Sequence, residues 1–172
     1  MSDRLALTTQ LPCTPRGAGK VIIKMAFRIL IDTREQRPYG FKGSEVGTIP
    51  VGDYSILGLE DYVSIERKTL GDLIACLTTG RDRFERELFK SRSLDYFALV
   101  IEASLSDIAN GEYRSEMNPK SAIQSLLAFS IRYRLPIFFA ESREYAQRVT
   151  ESLLLKYAKE TEGRCKLLQE KG

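Results

Sequence analysis

An α/β domain, a mixed β-sheet flanked by helices, is the fold class the sequence predicts, on three observations. Apolar and polar residues alternate on both sides of a glycine-containing turn between Gly52 and Glu66. Tyr96 to Ile101 is a near-continuous apolar run, the mark of a strand buried on both faces. From Leu70 onward the apolar spacing shifts to that of helices, which then alternate with strands.

Taken in order, residues 1–24 carry Thr, Pro, Gly and basic residues without periodicity and read as a flexible leader before a domain over 25–172. Met25, at the head of a strand-like segment, is a candidate start of a shorter natural product. Phe27 to Asp32 is a short apolar strand ending in an acid, closed by the turn residues Arg37-Pro38-Tyr39-Gly40. Residues 41–51 read as a loop with a short strand running into Pro50, ahead of the hairpin.

Beyond Lys68, Leu70, Leu73, Ile74 and Leu77 follow helical spacing, opened by Thr69-x-x-Asp72 in capping-box form and stopped near Gly80. A charged helix over Arg81–Arg92 turns Phe84 and Leu88 inward. Asn118-Pro119 starts a helix whose expected buried face is Ile123, Leu126, Leu127, Ser130 and Ile131. Pro136 to Ala140 is a strand, and Ser142 caps a last helix with Tyr145, Val149, Leu153 and Tyr157 on its apolar stripe.

The chain has 172 residues, long enough for one domain with a sizeable core. It contains no histidine, which excludes Ser-His-Asp and Cys-His catalysis and His-ligated zinc. Acid–base work falls to carboxylates, Lys, Tyr or metal-bound water. Cys13, Cys76 and Cys165 form no C-x-x-C pair, and an odd thiol count fits a reducing compartment. No apolar run reaches the ~18 residues of a membrane span, and no signal-peptide pattern opens the chain. The net charge of +3 sits in residues 1–26, where Arg4, Arg16, Lys20 and Lys24 face only Asp3. Total charge therefore argues nothing about nucleic acid; local placement has to.

Local placement is informative in the hairpin. A turn over Gly58-Leu59-Glu60-Asp61 sets Asp53 opposite Glu66, Ser55 opposite Ser64 and Ile56 opposite Val63. Facing Cβ atoms on antiparallel strands lie roughly 5 Å apart, where like charges repel. Two carboxylates forced together call for a cation. Mg²⁺ takes oxygen ligands, usually one or two carboxylates plus substrate phosphate. Lys68 emerges from the same face, and Asp32 ends an adjacent strand as a third acid. The expected site is a metal-and-lysine centre for phosphodiester chemistry. The bare spacing of acids and lysine is common enough that a solvated hairpin edge competes with this reading.

Val51-Gly52-Asp53-Tyr54 followed by Ile65-Glu66-Arg67-Lys68-x-x-x-Asp72 resembles the GD…ERKxxxD signature of the XPF-type endonuclease domain. Ile31-Asp32-Thr33-Arg34-Glu35 looks like that family's leading acidic motif. Thr79-Gly80-Arg81 and Leu99-Val100-Ile101-Glu102 continue the likeness, which runs from about Phe27 to about Tyr157. The resemblance implies a restriction-endonuclease-like core that hydrolyses DNA phosphodiesters with Mg²⁺ or Mn²⁺, on branched, forked or flapped DNA in repair or recombination. It implies Asp53, Glu66 and Asp32 as catalytic acids and metal ligands, with Lys68 orienting the attacking water and stabilising phosphorane charge.

Other residues keep two readings each. Arg67 points away from Glu66 and Lys68, toward a phosphate or a salt bridge that props the site. Asp72 is a cap first and a ligand second. Glu35 is a partner of the metal site or a solvated charge. Arg81 grips a phosphate or pairs on the surface, and surface pairing is favoured for Arg83. Tyr39, Tyr54 and Tyr113 read as packing residues.

Many members of the family carry a tandem helix-hairpin-helix or a helicase domain, and this sequence shows neither. It resembles stand-alone bacterial or phage members, which implies a cytoplasmic setting in a nucleoid or an infected host cell. DNA is the implied partner, with a homodimer or partner subunit formed through the faces at 119–131 and 142–157. A DNA-binding or scaffolding subunit without activity is the rival; such members lose the acids that are present here. A nuclease acting on ordinary duplex is a further alternative.

Overall fold

The computed structural model describes residues 27–170, so the expected leader over 1–24 lies outside the described residues. Six strands form one mixed sheet: β1 (Ile29–Asp32), β2 (Glu45–Gly47), β3 (Tyr54–Ile56), β4 (Val63–Thr69), β5 (Tyr96–Glu102) and β6 (Ile137–Phe139), in the order β2-β1-β3-β4-β5-β6. β3 runs antiparallel to both neighbours, β1 and β4; the other pairs are parallel.

The hairpin has the expected register, with Tyr54 opposite Ile65. Its connection is longer than the four-residue turn suggested, because Leu59 is drawn into the core at 2% exposure. The Leu59 N–H donates to Ile56 O at 2.8 Å, and its carbonyl accepts the N–H groups of Tyr62 and Val63. Alternation also implied one wet face, and the structure covers both. Ser55 and Ser64 are fully buried, each hydroxyl satisfied by a backbone carbonyl across the hairpin, Val63 O at 2.6 Å and Tyr54 O at 3.1 Å. Gly52, at φ 90°, lets the chain pass so close to β4 that a Cβ would sit 2.2 Å from Ser64 Oγ.

One face packs Ile31, Tyr54, Ile65 and Val100 against α5 (Arg143–Glu170) through Ala146 and Leu154. The other packs Leu99 and Ile101 under α1 (Leu70–Leu77), α2 (Arg81–Ser91), α3 (Leu105–Ala109) and α4 (Pro119–Tyr133). Helix α1 continues directly from β4, with Thr69 accepting the Asp72 N–H at 3.2 Å as its cap. The capping box is half formed, since the Asp72 carboxylate takes the Thr69 hydroxyl instead of the cap N–H. A complete box opens α3, which the sequence reading passed over: Ser104 N–H to Asp107 Oδ2 and Asp107 N–H to Ser104 Oγ.

The face of α4 differs from expectation. Its buried residues are Ala122, Leu126 and Phe129, while Leu127 and Ile131 are 55% and 83% exposed. Two apolar stripes run along this helix, and the sheet side takes the one holding the larger Phe129 ring, packed on Phe84. On α5 the buried line is Ala146, Thr150, Leu154 and Thr161, with Val149, Leu153 and Tyr157 beside it and Tyr145 exposed. Among the described residues no helix is long and apolar enough to cross a membrane.

Candidate active site

The centre is set by register. Ile31 faces Tyr54 on one side of β3 and Tyr54 faces Ile65 on the other. One residue further, Asp32, Asp53 and Glu66 fall in a row across β1, β3 and β4. Backbone bonds bind that row: Asp32 N–H to Asp53 O at 2.9 Å, and Asp53 N–H to Ile65 O at 2.9 Å. Glu66 and Lys68, two apart on β4, project to the face covered by α1 and α2. There the Lys68 ammonium pairs with Glu66 Oε1 and lies 5.5 Å from the Phe84 ring centroid.

Burial governs the electrostatics. Asp53 is pushed up to about 8, first by burial and then by the Glu66 charge, against the Arg67 N–H and Lys68. Glu66 is raised too, by burial, with Lys68 opposing. Burial alone would lower Lys68, but the Glu66 carboxylate outweighs it and holds Lys68 above its ordinary value. The lysine is therefore charged at any working pH, and the acid pair shares a deficit of positive charge.

Between segment 34–37 and the end of β4 lies a cleft of about 390 Å³. Asp53, Lys68 and Asp72 line it; Glu66 stands behind Lys68. Hydrogen bonds to the acid pair fall on Asp53 Oδ2, from Arg67 N–H at 2.8 Å, and on Glu66 Oε1, from Lys68. Asp53 Oδ1 and Glu66 Oε2 accept none among the described residues. These are hard oxygen donors, the type that Mg²⁺ or Mn²⁺ takes, with the cleft open beside Asp53 and Glu66 buried behind it. Among the described residues no group of three acidic, Cys or His side chains is arranged for a metal ion.

Asp32 is in the row but engaged elsewhere. Its carboxylate accepts the Arg34 N–H, Arg34 Nε and Nη2, and the Ile49 N–H at 2.7 Å. Those bonds outweigh burial and hold Asp32 below its ordinary value. A third ligand from Asp32 requires Arg34 to leave it. Arg34 itself lines the cleft and also bonds Ile49 O at 2.7 Å.

Arg67 points away from Glu66 and Lys68, as expected, into an ion cluster on the opposite face. Its guanidinium bonds Glu102 through Nε at 2.8 Å and approaches Glu35 at 3.5 Å. Glu102 also accepts the Tyr39 hydroxyl at 2.9 Å and Arg143 Nη1 at 3.2 Å. Arg143 in turn donates to the carbonyls of Arg37 and Pro38. Segment 35–39, one wall of the cleft, is thus tied to β4, β5 and α5 through one carboxylate. Glu35 is buried in this cluster, its other oxygen accepting the Arg37 N–H.

Of the other expected residues, Asp72 stands at the cleft rim and Arg81 lies outside it. Asp72 is exposed and its carboxylate accepts the Thr69 hydroxyl, as the cap reading expected. Arg81 sits between α2 and α4, bonded to Glu85 and Ser125 and stacked over Phe129 at 5.0 Å. Arg83 pairs with Glu87 on the surface. Sequence reasoning missed Arg34, Glu102 and Arg143. Glu102 had a signal, an acid at the end of a buried strand as Asp32 is; Arg143, 41 residues later, had none.

The ERCC4 domain matches residues 31–153. XPF from Aeropyrum pernix in complex with DNA is similar in structure, with a TM-score of 0.60 at 22% identity over 77% of this chain and 66% of that one. XPF from the same organism in a second structure gives a TM-score of 0.62 at 20% identity, over 76% of this chain and 61% of that one. The chain thus spans less than two thirds of either solved protein. No curated protein sequence matches it. These likenesses show a restriction-endonuclease-like α/β fold, and the match over 31–153 takes in the acid row, Lys68 and the Arg67–Glu102 cluster. By that match, the chain belongs to the ERCC4 domain family and is an XPF-type nuclease domain.

Proposed function

We propose that this chain is a metal-dependent DNA endonuclease that cuts branched, forked or flapped DNA in repair or recombination. The observation that carries the reading is the buried acid pair Asp53 and Glu66 with Lys68 beside it at a cleft. Asp53 and Glu66 would hold the Mg²⁺ or Mn²⁺, with Asp32 joining them only after releasing Arg34. The ion, when bound, neutralises phosphate charge and makes water a stronger nucleophile.

The chain's own groups do the rest. Arg67 N–H fixes the direction of the Asp53 carboxylate. Lys68, charged throughout, orients the attacking water and donates to a phosphoryl oxygen as negative charge grows there. Arg34, anchored on Asp32 and Ile49 O, presents a guanidinium to the backbone of the DNA in the cleft. Leu127 and Ile131, exposed on α4, suit a second copy or a partner subunit, which would supply further DNA contacts.

The test is cleavage of labelled single-strand, duplex, splayed-arm and 3′-flap DNA with Mg²⁺, Mn²⁺ or EDTA, beside Glu66→Ala and Lys68→Ala. Metal-dependent cutting of the branched substrates, lost in both variants, supports the reading. Equal cutting of every substrate removes the preference for branched DNA. Binding without cutting in any metal favours a scaffolding subunit.

A further inference from the structure

A second hollow of about 420 Å³ lies between α1 and segment 112–115. It and the catalytic cleft share the first turn of α1: Thr69 and Asp72 line the cleft, Leu70 and Gly71 the second hollow. A helix with its side chains is about 10–12 Å across, a distance that a few nucleotides of an extended strand cover.

Gly71 has no structural reason to be glycine. It is the poorest helix former after proline. Its φ is outside the left-handed region, and a Cβ there would meet nothing within 4 Å. What glycine does at this point is leave a low saddle between the two hollows.

The far wall is preformed. Glu112 N–H donates to Asp107 O at 2.9 Å and Tyr113 N–H to Gly111 O at 2.8 Å. The Tyr113 hydroxyl donates to Met117 O at 2.9 Å, and Met117 N–H to Ser115 Oγ at 3.2 Å. A wall tied in this way loses little freedom when a ligand arrives. The hollow is lined by apolar Leu70 and Ile74, by the Tyr113 ring, and by Thr79 and Arg114. Neither Thr79 nor Arg114 makes a hydrogen bond or ion pair among the described residues.

One arginine against Glu112 is too little charge for a duplex, whose affinity rests on several phosphate contacts. Apolar floor, one ring and one cation suit an unpaired nucleotide. We propose that this hollow binds an unpaired nucleotide of branched DNA, on a strand that crosses the Gly71 saddle from the catalytic cleft. This deepens the nuclease reading and rests on it for the course of the strand.

The experiment measures fluorescence anisotropy of a labelled splayed-arm DNA and a blunt duplex of equal length, in EDTA. Wild type is compared with Gly71→Leu and Ala75→Trp, both placed to fill the hollow, and melting temperatures are recorded. Wild type should prefer the splayed arm by about fivefold or more, the effect of one stacked base. Both variants should fall to within about twofold, with duplex affinity and duplex cleavage in Mg²⁺ unchanged. Gly71→Leu should melt at or above the wild-type temperature, since leucine is the better helix former. If it melts lower, Ala75→Trp decides. Retention of the preference by the variants, or its absence in wild type, overturns the proposal. A splayed-arm preference lost in the variants, in a protein that cuts no DNA in any metal, sinks the nuclease reading and leaves the site standing.

Discussion

Arg67 donates its peptide N–H to Asp53 Oδ2 at 2.8 Å, where a longer hairpin would offer a carbonyl of β3. Beyond the Tyr54–Ile65 pair the ladder breaks off, Asp53 N–H reaching Ile65 O one residue out of register, and the Asp53 side chain supplies the acceptor for the Arg67 N–H. A residue proposed to hold metal is therefore also the end of the hairpin. Its removal touches both sheet and site.

Asp53 sets the alkaline limb of stability. Its folded value near 8 stands above the ordinary 3.8, so the metal-free native state keeps a proton that the unfolded chain has lost. Stability falls as pH rises between those values. Glu66, also raised, adds to the fall. Asp32 and Glu102 are lowered, so their contribution is complete above their ordinary values and is lost as pH drops through the folded ones. Thermal melts in EDTA should peak near about pH 5. Asp53→Asn should flatten the alkaline limb and stabilise the protein at pH 8 by about 1–3 kcal/mol. A wild-type curve flat from pH 5 to 8 would show Asp53 ionised throughout.

Glu66 and Lys68 form a pair whose side chains are only 10% and 13% exposed. Removing one partner strands a buried charge, and Glu66→Gln or Lys68→Met should each cost about 3 kcal/mol in urea unfolding. The double variant should recover most of that, because a buried pair replaced as a unit is close to neutral. Cleavage should drop at least about 100-fold in all three. Additive losses in the double variant would mean that the two groups do not interact.

Glu102 accepts from Arg67, Tyr39 and Arg143 at 8% side-chain exposure. Glu102→Gln should destabilise by about 2–4 kcal/mol by leaving Arg67 short of a counter-charge. Arg143→Ala, at a half-exposed position, should cost about 1 kcal/mol or less. Because Arg143 also holds the Arg37 and Pro38 carbonyls, its loss should raise KM for DNA and leave kcat near wild type. Equal effects on both constants would speak against a role confined to the cleft wall.

Neighbouring leucines on α4 separate core from surface. Leu126→Ala should cost about 2–4 kcal/mol, and Leu127→Ala no more than about 0.5 kcal/mol. Leu127→Glu with Ile131→Glu should leave the melting temperature unchanged and shift sedimentation toward the monomer. Unchanged sedimentation would remove this face from any self-association.

The acid pair and Lys68 were legible because strand alternation and one turn fix which residues face each other. The longer 57–62 connection did not disturb the register, since Leu59 folds inward without changing which residues pair. The Arg67 cluster was not legible. Its acids come from a loop at residue 35 and a strand end at residue 102, and proximity between them exists only once the sheet is assembled. On α4 the apolar pattern offered two stripes a single residue apart. Helical spacing locates stripes but does not weigh a small Ala122 and a large Phe129 against Ile123 and Ile131. The engagement of Asp32 by Arg34 hung on a two-residue turn that carries no periodic signal.

The residues that line the cleft run from Arg34 to Asp72, and helix α4 with its exposed stripe begins only at Pro119. The cleft and the exposed stripe thus belong to separate stretches of the polypeptide. The two stretches meet at Glu102 and Arg143, which hold Arg67 and the Arg37 and Pro38 carbonyls of the cleft wall. A substitution in the later stretch therefore reaches the cleft wall by way of side chains that do not themselves line it.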